Sequence, residues 1–203
     1  MTENIEIQIL AKVKKAKRGS LFFSENFMTI GQADAIRKAL ERLVKSGELR
    51  RVATGLYVRP ELDPIIGPVN PSIDAIAKAI AKRDKARIVP TGNYAMNRLG
   101  LTTQIPMKVV YLTDGAARKI QIGKQSITFK KVTPKNVAAL GELSRLAIQA
   151  LRTIGEKNVT PEQIEKIRDL LKKEKTTLLQ HDMKLAPAWI REIIRPVLNE
   201  SMQ

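Results

Sequence analysis

Residues 32–59 read Gln32-Ala-Asp-Ala-Ile-Arg-Lys-Ala-Leu-Glu-Arg-Leu-Val-Lys-Ser-Gly-Glu-Leu-Arg-Arg-Val-Ala-Thr-Gly-Leu-Tyr-Val-Arg59. Ala33, Ile36, Leu40, Leu43 and Val44 recur at helical spacing, so the stretch predicts a helix from Gln32 to about Ser46 with those residues inward. Gly47 stops it. Glu48 to Ala53 and Leu56 to Arg59 then alternate like two strands joined at Thr54-Gly55, a hairpin signal. Gln32, Asp34, Arg37, Lys38, Arg42 and Lys45 are left on the outer side of the helix, and the hairpin carries Arg50, Arg51, Thr54 and Arg59.

Upstream, Ile5, Ile9, Leu10 and Val13 form the apolar stripe of an opening helix, and Leu21-Phe22-Phe23 reads as a short buried extended piece. Ser24 is placed to cap a further helix with Phe27 and Ile30 inward, ended by Gly31. Helix, helix, turn, helix and basic hairpin is the order of a winged helix-turn-helix. A helix about 10–12 Å across enters a major groove, where Arg and Gln pair with guanine and adenine edges. The expected base readers are Gln32, Asp34, Arg37, Lys38 and Arg42, with Arg50, Arg51 and Arg59 on the backbone. Arg37 with Glu41 is also an ordinary surface pair at i, i+4, so no single residue carries this reading.

Beyond the hairpin, Pro60, Pro64, Pro68 and Pro71 read as a linker. The expected division is a DNA-binding domain over 1–65 and a basic α/β domain with a C-terminal helical segment over 66–203, an α+β fold overall. In the second part, a helix is expected from Ser72 to about Arg83 and a strand at 87–89. A helix near Asn93 to Leu99 follows, then strands at 108–112, 118–122 and 126–132, with turn signals at Asp114-Gly115 and Gly123-Lys124. The final helices are expected at 134–154, 161–180 and 188–198, with Pro161 in the first turn of its helix.

The chain has 203 residues and carries 36 Lys+Arg against 20 Asp+Glu, a net charge of +16, which predicts a polyanionic partner. The excess is uneven: residues 1–70 hold 12 basic and 8 acidic side chains, 71–136 hold 13 and 3, and 137–203 hold 11 and 9. The middle segment is therefore the most basic. Its Lys78, Lys82, Arg83, Lys85 and Arg87, with Arg118, Lys119, Lys124, Lys130 and Lys131 on the strands, suggest a second polyanion surface for DNA, RNA or an acidic protein face.

Catalysis has little to work with. There is no cysteine, and the one imidazole is His181. Thiolate zinc sites, Cys nucleophiles and histidine-rich metal sites are excluded, and no Walker A or GxGxxG pattern occurs. Asp74, Asp84 and Asp114 sit on three different elements, and Asp114 reads as a turn residue. No enzyme and no cofactor is expected. No run of about 18 apolar residues and no secretion signal is present, so the expected setting is cytoplasmic, without a membrane partner.

Gly19 to Phe23, Ala35-Ile-Arg-Lys-Ala-Leu-Glu-Arg-Leu43 and Gly47-Glu-Leu-Arg-Arg-Val-Ala-Thr-Gly-Leu-Tyr57 resemble the N-terminal domain of AbiEi-type antitoxins of abortive-infection systems. Pro71 to Ile76, Thr91 to Leu101, Lys108 to Asp114 and Ala186-Pro-Ala-Trp189 are similar to a related bacterial family. The resemblance implies a repressor of its own operon. Its partner would be promoter DNA with inverted repeats, and it would counter a nucleotidyltransferase toxin as a type IV antitoxin, without a stable complex. The rival expectation is an RNA-binding or ribosome-associated protein that works through the basic middle segment. A DNA-processing enzyme would require a metal held by converging carboxylates.

Overall fold

A computed structural model describes residues 2–200 as a mixed α+β structure. The chain forms two compact units, residues 1–79 and 80–203, whose division falls inside helix α3 (Ile73–Arg83).

The N-terminal unit runs α1 (Thr2–Lys15), β1 (Leu21–Phe23), a 3-10 turn (Ser24–Phe27), α2 (Ala33–Lys45), β2 (Arg50–Ala53) and β3 (Leu56–Val58). The sheet order is β1-β3-β2, antiparallel throughout. Its core gathers Ile9 and Val13 of α1, Ile36, Ala39, Leu40 and Leu43 of α2, and Phe22, Phe27, Leu49 and Tyr57. The expected Ser24-capped helix is a single 3-10 turn. Ser24 N–H donates instead to Gly55 O at 3.0 Å, and Phe23 N–H donates to Asn26 Oδ1 at 2.7 Å, so the turn is tied to the hairpin and closes early. Ala33, expected inside, is exposed because α2 begins there; the buried stripe is 36, 39, 40 and 43, an i, i+3, i+4, i+7 row.

The proline-rich segment is not a plain linker but a second hairpin, β4 (Glu61–Asp63) with β5 (Gly67–Val69). Asp63 Oδ1 accepts from Ile65 N at 2.8 Å and Ile66 N at 3.0 Å, closing the turn that Gly67 completes at φ +76°. Pro68 is tolerated because both strands of a two-stranded sheet are edges.

In the second unit, β6 (Ile88–Thr91), α4 (Asn93–Arg98), β7 (Lys108–Thr113), β8 (Arg118–Ile122) and β9 (Gln125–Lys131) build a sheet of order β6-β7-β9-β8. Gly123-Lys124 closes the β8–β9 hairpin as expected. Asp114-Gly115 does not close a hairpin: β7 pairs with β9 in parallel, and β8 returns on the far side. Val109, Tyr111, Ile127 and Phe129 share one buried face, with the Tyr94 ring edge-on to Tyr111 at 5.9 Å.

The C-terminal helices are α5 (Glu142–Ile154), α6 (Pro161–Leu171), α7 (Thr176–Met183) and α8 (Ala188–Glu200). Two expected helices are thus divided. The region from Pro134 makes only a 3-10 turn (Pro134–Val137), and 161–180 breaks between Leu171 and Thr176. Both breaks serve one cap. Asp182, fully buried, accepts from Leu140 N and Gly141 N at 2.8 Å each and from Ser144 Oγ at 2.5 Å, while Glu174 Oε2 accepts from Leu143 N at 2.7 Å. These carboxylates satisfy the orphan donors that begin α5 and force its start at Glu142. A Cβ on Gly141 would collide with Ser144 Oγ and Glu174 Oε2, so any other residue there displaces the side chains that cap α5. Pro161 sits in the first turn as expected, after a Thr160–Gln163 capping box, and Trp189 packs on the helical core.

Candidate nucleic-acid interface

The amphipathic pattern of α2 leaves Gln32, Asp34, Arg37, Lys38, Arg42 and Lys45 exposed, all six where the sequence placed them. Their charges are not equally available. Arg37 lies 3.1 Å from Glu41 and 3.8 Å from Asp34, and Arg42 Nε is 2.6 Å from Glu6 Oε2. Lys38 and Lys45 have no ion-pair partner among the described residues. Arg37 and Arg42 must exchange a carboxylate for any nucleic-acid contact, and exposed pairs of this kind are worth at most about 1 kcal/mol, so exchange is cheap.

The β2–β3 hairpin turns at Thr54-Gly55, with Gly55 at φ +69°, and its register shifts between Arg51 and Ala53. Arg51 and Thr54 are exposed, and Arg51 has no partner among the described residues. The other two arginines of the hairpin do structural work. Arg50 Nη2 donates to Val69 O at 3.4 Å. Arg59 Nη1 donates to Lys14 O at 2.9 Å and to Ala16 O, capping the end of α1, which engages that nitrogen within the fold. Sequence spacing shows where an arginine lies along a strand, but not which distant carbonyls it meets.

Between α2, the 3-10 turn and the hairpin lies an open groove of about 290 Å³. Arg37 and Glu41 of α2 line it together with Arg51, Thr54 and Gly55 of the hairpin and with Met28 and Tyr57. Of the outer residues of α2, Arg37 and Glu41 front the same space as the hairpin turn; Gln32, Asp34, Lys38, Arg42 and Lys45 do not line it. Met28, which carried no sequence signal of its own, is 52% exposed at this groove.

The basic residues of the middle segment divide in the same way. Lys78 pairs with Asp74 at 2.8 Å, Arg83 with Asp84 at 2.9 Å, and Arg118 also reaches Asp84 while stacking over Phe129. Arg87 holds Asp114 through Nε at 2.8 Å and its own backbone N at 2.7 Å. Burial alone would raise the Asp114 carboxyl, but these hydrogen bonds and the guanidinium charge hold it below the usual carboxylate range. Asp114 is therefore an anchor for the start of β6 rather than a turn residue alone.

Lys82, Lys85, Lys119, Lys124, Lys130 and Lys131 have no acidic partner among the described residues. Strand register places Lys119 opposite Thr128, Lys130 opposite Leu112 and Lys108 opposite Ser126, so Lys108, Lys119 and Lys130 stand on one sheet face, away from Tyr111 and Phe129. All three are exposed. Lys108 escaped the sequence reading because its membership depends on the parallel β7–β9 pairing.

Elsewhere, His181 Nδ1 is 2.8 Å from Asp182 Oδ1, and Ser144 bonds the same carboxylate. The carboxylate stands between serine and imidazole, the reverse of a nucleophile–base arrangement. Among the described residues no group of three or more His, Asp or Glu side chains could hold a metal ion, and no helix is long and apolar enough to cross a membrane.

A family of unknown function, DUF6088, has a model that matches residues 8–179, and the chain belongs to that family. Among solved structures it is similar to the RV2827C protein from Mycobacterium tuberculosis, at 12% identity, with 94% of this chain and 80% of that chain covered and a TM-score of 0.48. No curated protein matches it in sequence.

Proposed function

We propose that the chain is a sequence-specific, non-enzymatic DNA-binding repressor whose N-terminal unit works as a winged helix-turn-helix, with α2 in the major groove and the β2–β3 hairpin as the wing. The observation that carries this reading is the shared groove: Arg37 of α2 and Arg51 and Thr54 of the hairpin border one open space, so one duplex can meet both. The element order and the β1-β3-β2 sheet support it, since the central β3 holds the hairpin against the helical core.

Gln32, Arg37 and Lys38 supply base-edge contacts, and Lys45, Arg51 and Thr54 backbone contacts. The setting, autoregulation of an operon that encodes a nucleotidyltransferase toxin, rests on the AbiEi-like residues 19–23, 35–43 and 47–57. The test is a footprint on the DNA immediately upstream of the gene, with structured RNA as competitor. Protection of an inverted repeat that RNA does not displace is the expected result, and its absence refutes the proposal.

A second reading has its own support: the Lys108, Lys119 and Lys130 face suits an RNA backbone. In that case K119Q/K130Q abolishes binding while R51Q leaves it intact.

A further inference from the structure

The second unit contains a recess whose chemistry differs from both surfaces above. Arg145, Gln149 and Arg152 line it from α5, at i, i+4 and i+7 on one helix face, and Lys135 and Asn136 line it from the 3-10 turn before that helix. The remaining lining is apolar, and no carboxylate takes part. Arg145 Nε is buried without a hydrogen-bond partner among the described residues. Arg152, exposed at the mouth, reaches only Leu185 O among the described residues, at 3.3 Å, and partial desolvation pulls its pKa down from the ordinary value.

Most arginines of the unit, by contrast, meet a carboxylate. Arg98 meets Glu142 at 3.2 Å, Arg168 meets Glu165 at 2.8 Å, and Arg118 and Arg83 share Asp84. Three cations around an acid-free recess repel one another, and a buried guanidinium N–H with no acceptor is costly. A bound anion reverses both terms.

We infer that the recess between α5 and the 3-10 turn at Pro134–Val137 is a binding site for the terminal phosphate of a small phosphorylated molecule. Two guanidinium groups and an ammonium match the oxygens of a phosphate, and guanidinium presents paired donors to that geometry. The cavity volume is about 10 Å³, about one water molecule. One phosphate oxygen therefore fills the recess beside the Arg145 side chain, and the rest of the group stays at the mouth between Arg152 and Lys135. A duplex backbone presents its phosphates in a row, which exposed lysines on an open face track better than a recess does.

The experiment follows the arginine Nε–H resonances of the full chain by 1H–15N spectroscopy. Inorganic phosphate is titrated against chloride at equal ionic strength, with adenosine monophosphate and a DNA duplex as separate arms. The expected result is a saturable shift of the Arg145 resonance with phosphate and with the monophosphate, lost in R152Q. In K135Q, which lies outside α5 and leaves that helix untouched, binding weakens by about three- to fivefold, as for an exposed ion pair. A shift no larger than that of chloride, a shift seen with duplex alone, or an unchanged titration in both variants overturns the inference. None of these outcomes depends on whether α2 and its hairpin bind DNA.

Discussion

Arg51 and Arg59 leave the same hairpin eight residues apart and are equivalent by sequence, yet Arg51 is free at the rim of the groove while Arg59 caps α1. Replacing each with glutamine separates binding from folding. Each phosphate contact contributes about 0.9 to the slope of log affinity against log salt, so over a fourfold change, from about 50 to 200 mM, one lost contact makes the loss of affinity about 3.5-fold smaller. R51Q is expected to show that flattening at unchanged stability. R59Q is expected to keep the wild-type slope and to lose about 1–3 kcal/mol of stability, because the carbonyls of Lys14 and Ala16 lose a charged donor in a half-buried position. Fluorescence anisotropy with duplex from the upstream region gives the slopes, and urea unfolding gives the stabilities. A flattened slope in R59Q together with a wild-type slope in R51Q would falsify the assignment of the wing residues.

Two further predictions concern the second unit. D182A strands the three donors of Leu140, Gly141 and Ser144, and a cost of about 3–6 kcal/mol is expected by urea unfolding; a change under 1 kcal/mol would show that the α5 cap is dispensable. Because the folded Asp114 carboxyl titrates below its ordinary value, its contribution is complete above the unfolded pKa and is lost as pH falls through the folded one. Unfolding midpoints measured downward from about pH 5 are therefore expected to fall less steeply in R87Q than in the wild type, and parallel curves would reject the linkage.

Local pattern carried much of this architecture. The α2 stripe from Ile36 to Leu43, the Thr54-Gly55 and Gly123-Lys124 turns and the Pro161 first turn each depend on residues a few positions apart, and apart from Ala33 each lies where periodicity or turn chemistry puts it. Pairings between distant residues were not legible. Parallel β7–β9 leaves no mark on either strand alone, and the partners that divide the last helices, Asp182 and Glu174, lie 30 to 42 residues from the donors they bind. The same limit applies to charge. A count of basic residues locates the excess, but which lysines stay unpaired depends on where Asp84, Asp114 and Glu6 fold to. The Ile73 helix and the 118–131 strands were readable as basic; that Arg118, Arg83 and Arg87 are neutralised while Lys119 and Lys130 are not was not.

Placing β8 outermost has an effect apart from any ligand. An outermost strand offers unpaired backbone groups to other chains, and a protruding ammonium on it makes such stacking costly. Lys119 occupies that position, so a neutral side chain there invites precipitation even if no nucleic acid ever touches the sheet. Glutamate, which places a charge of opposite sign there, protects the margin while repelling a polyanion, and K119E is for that reason a cleaner probe than K119Q.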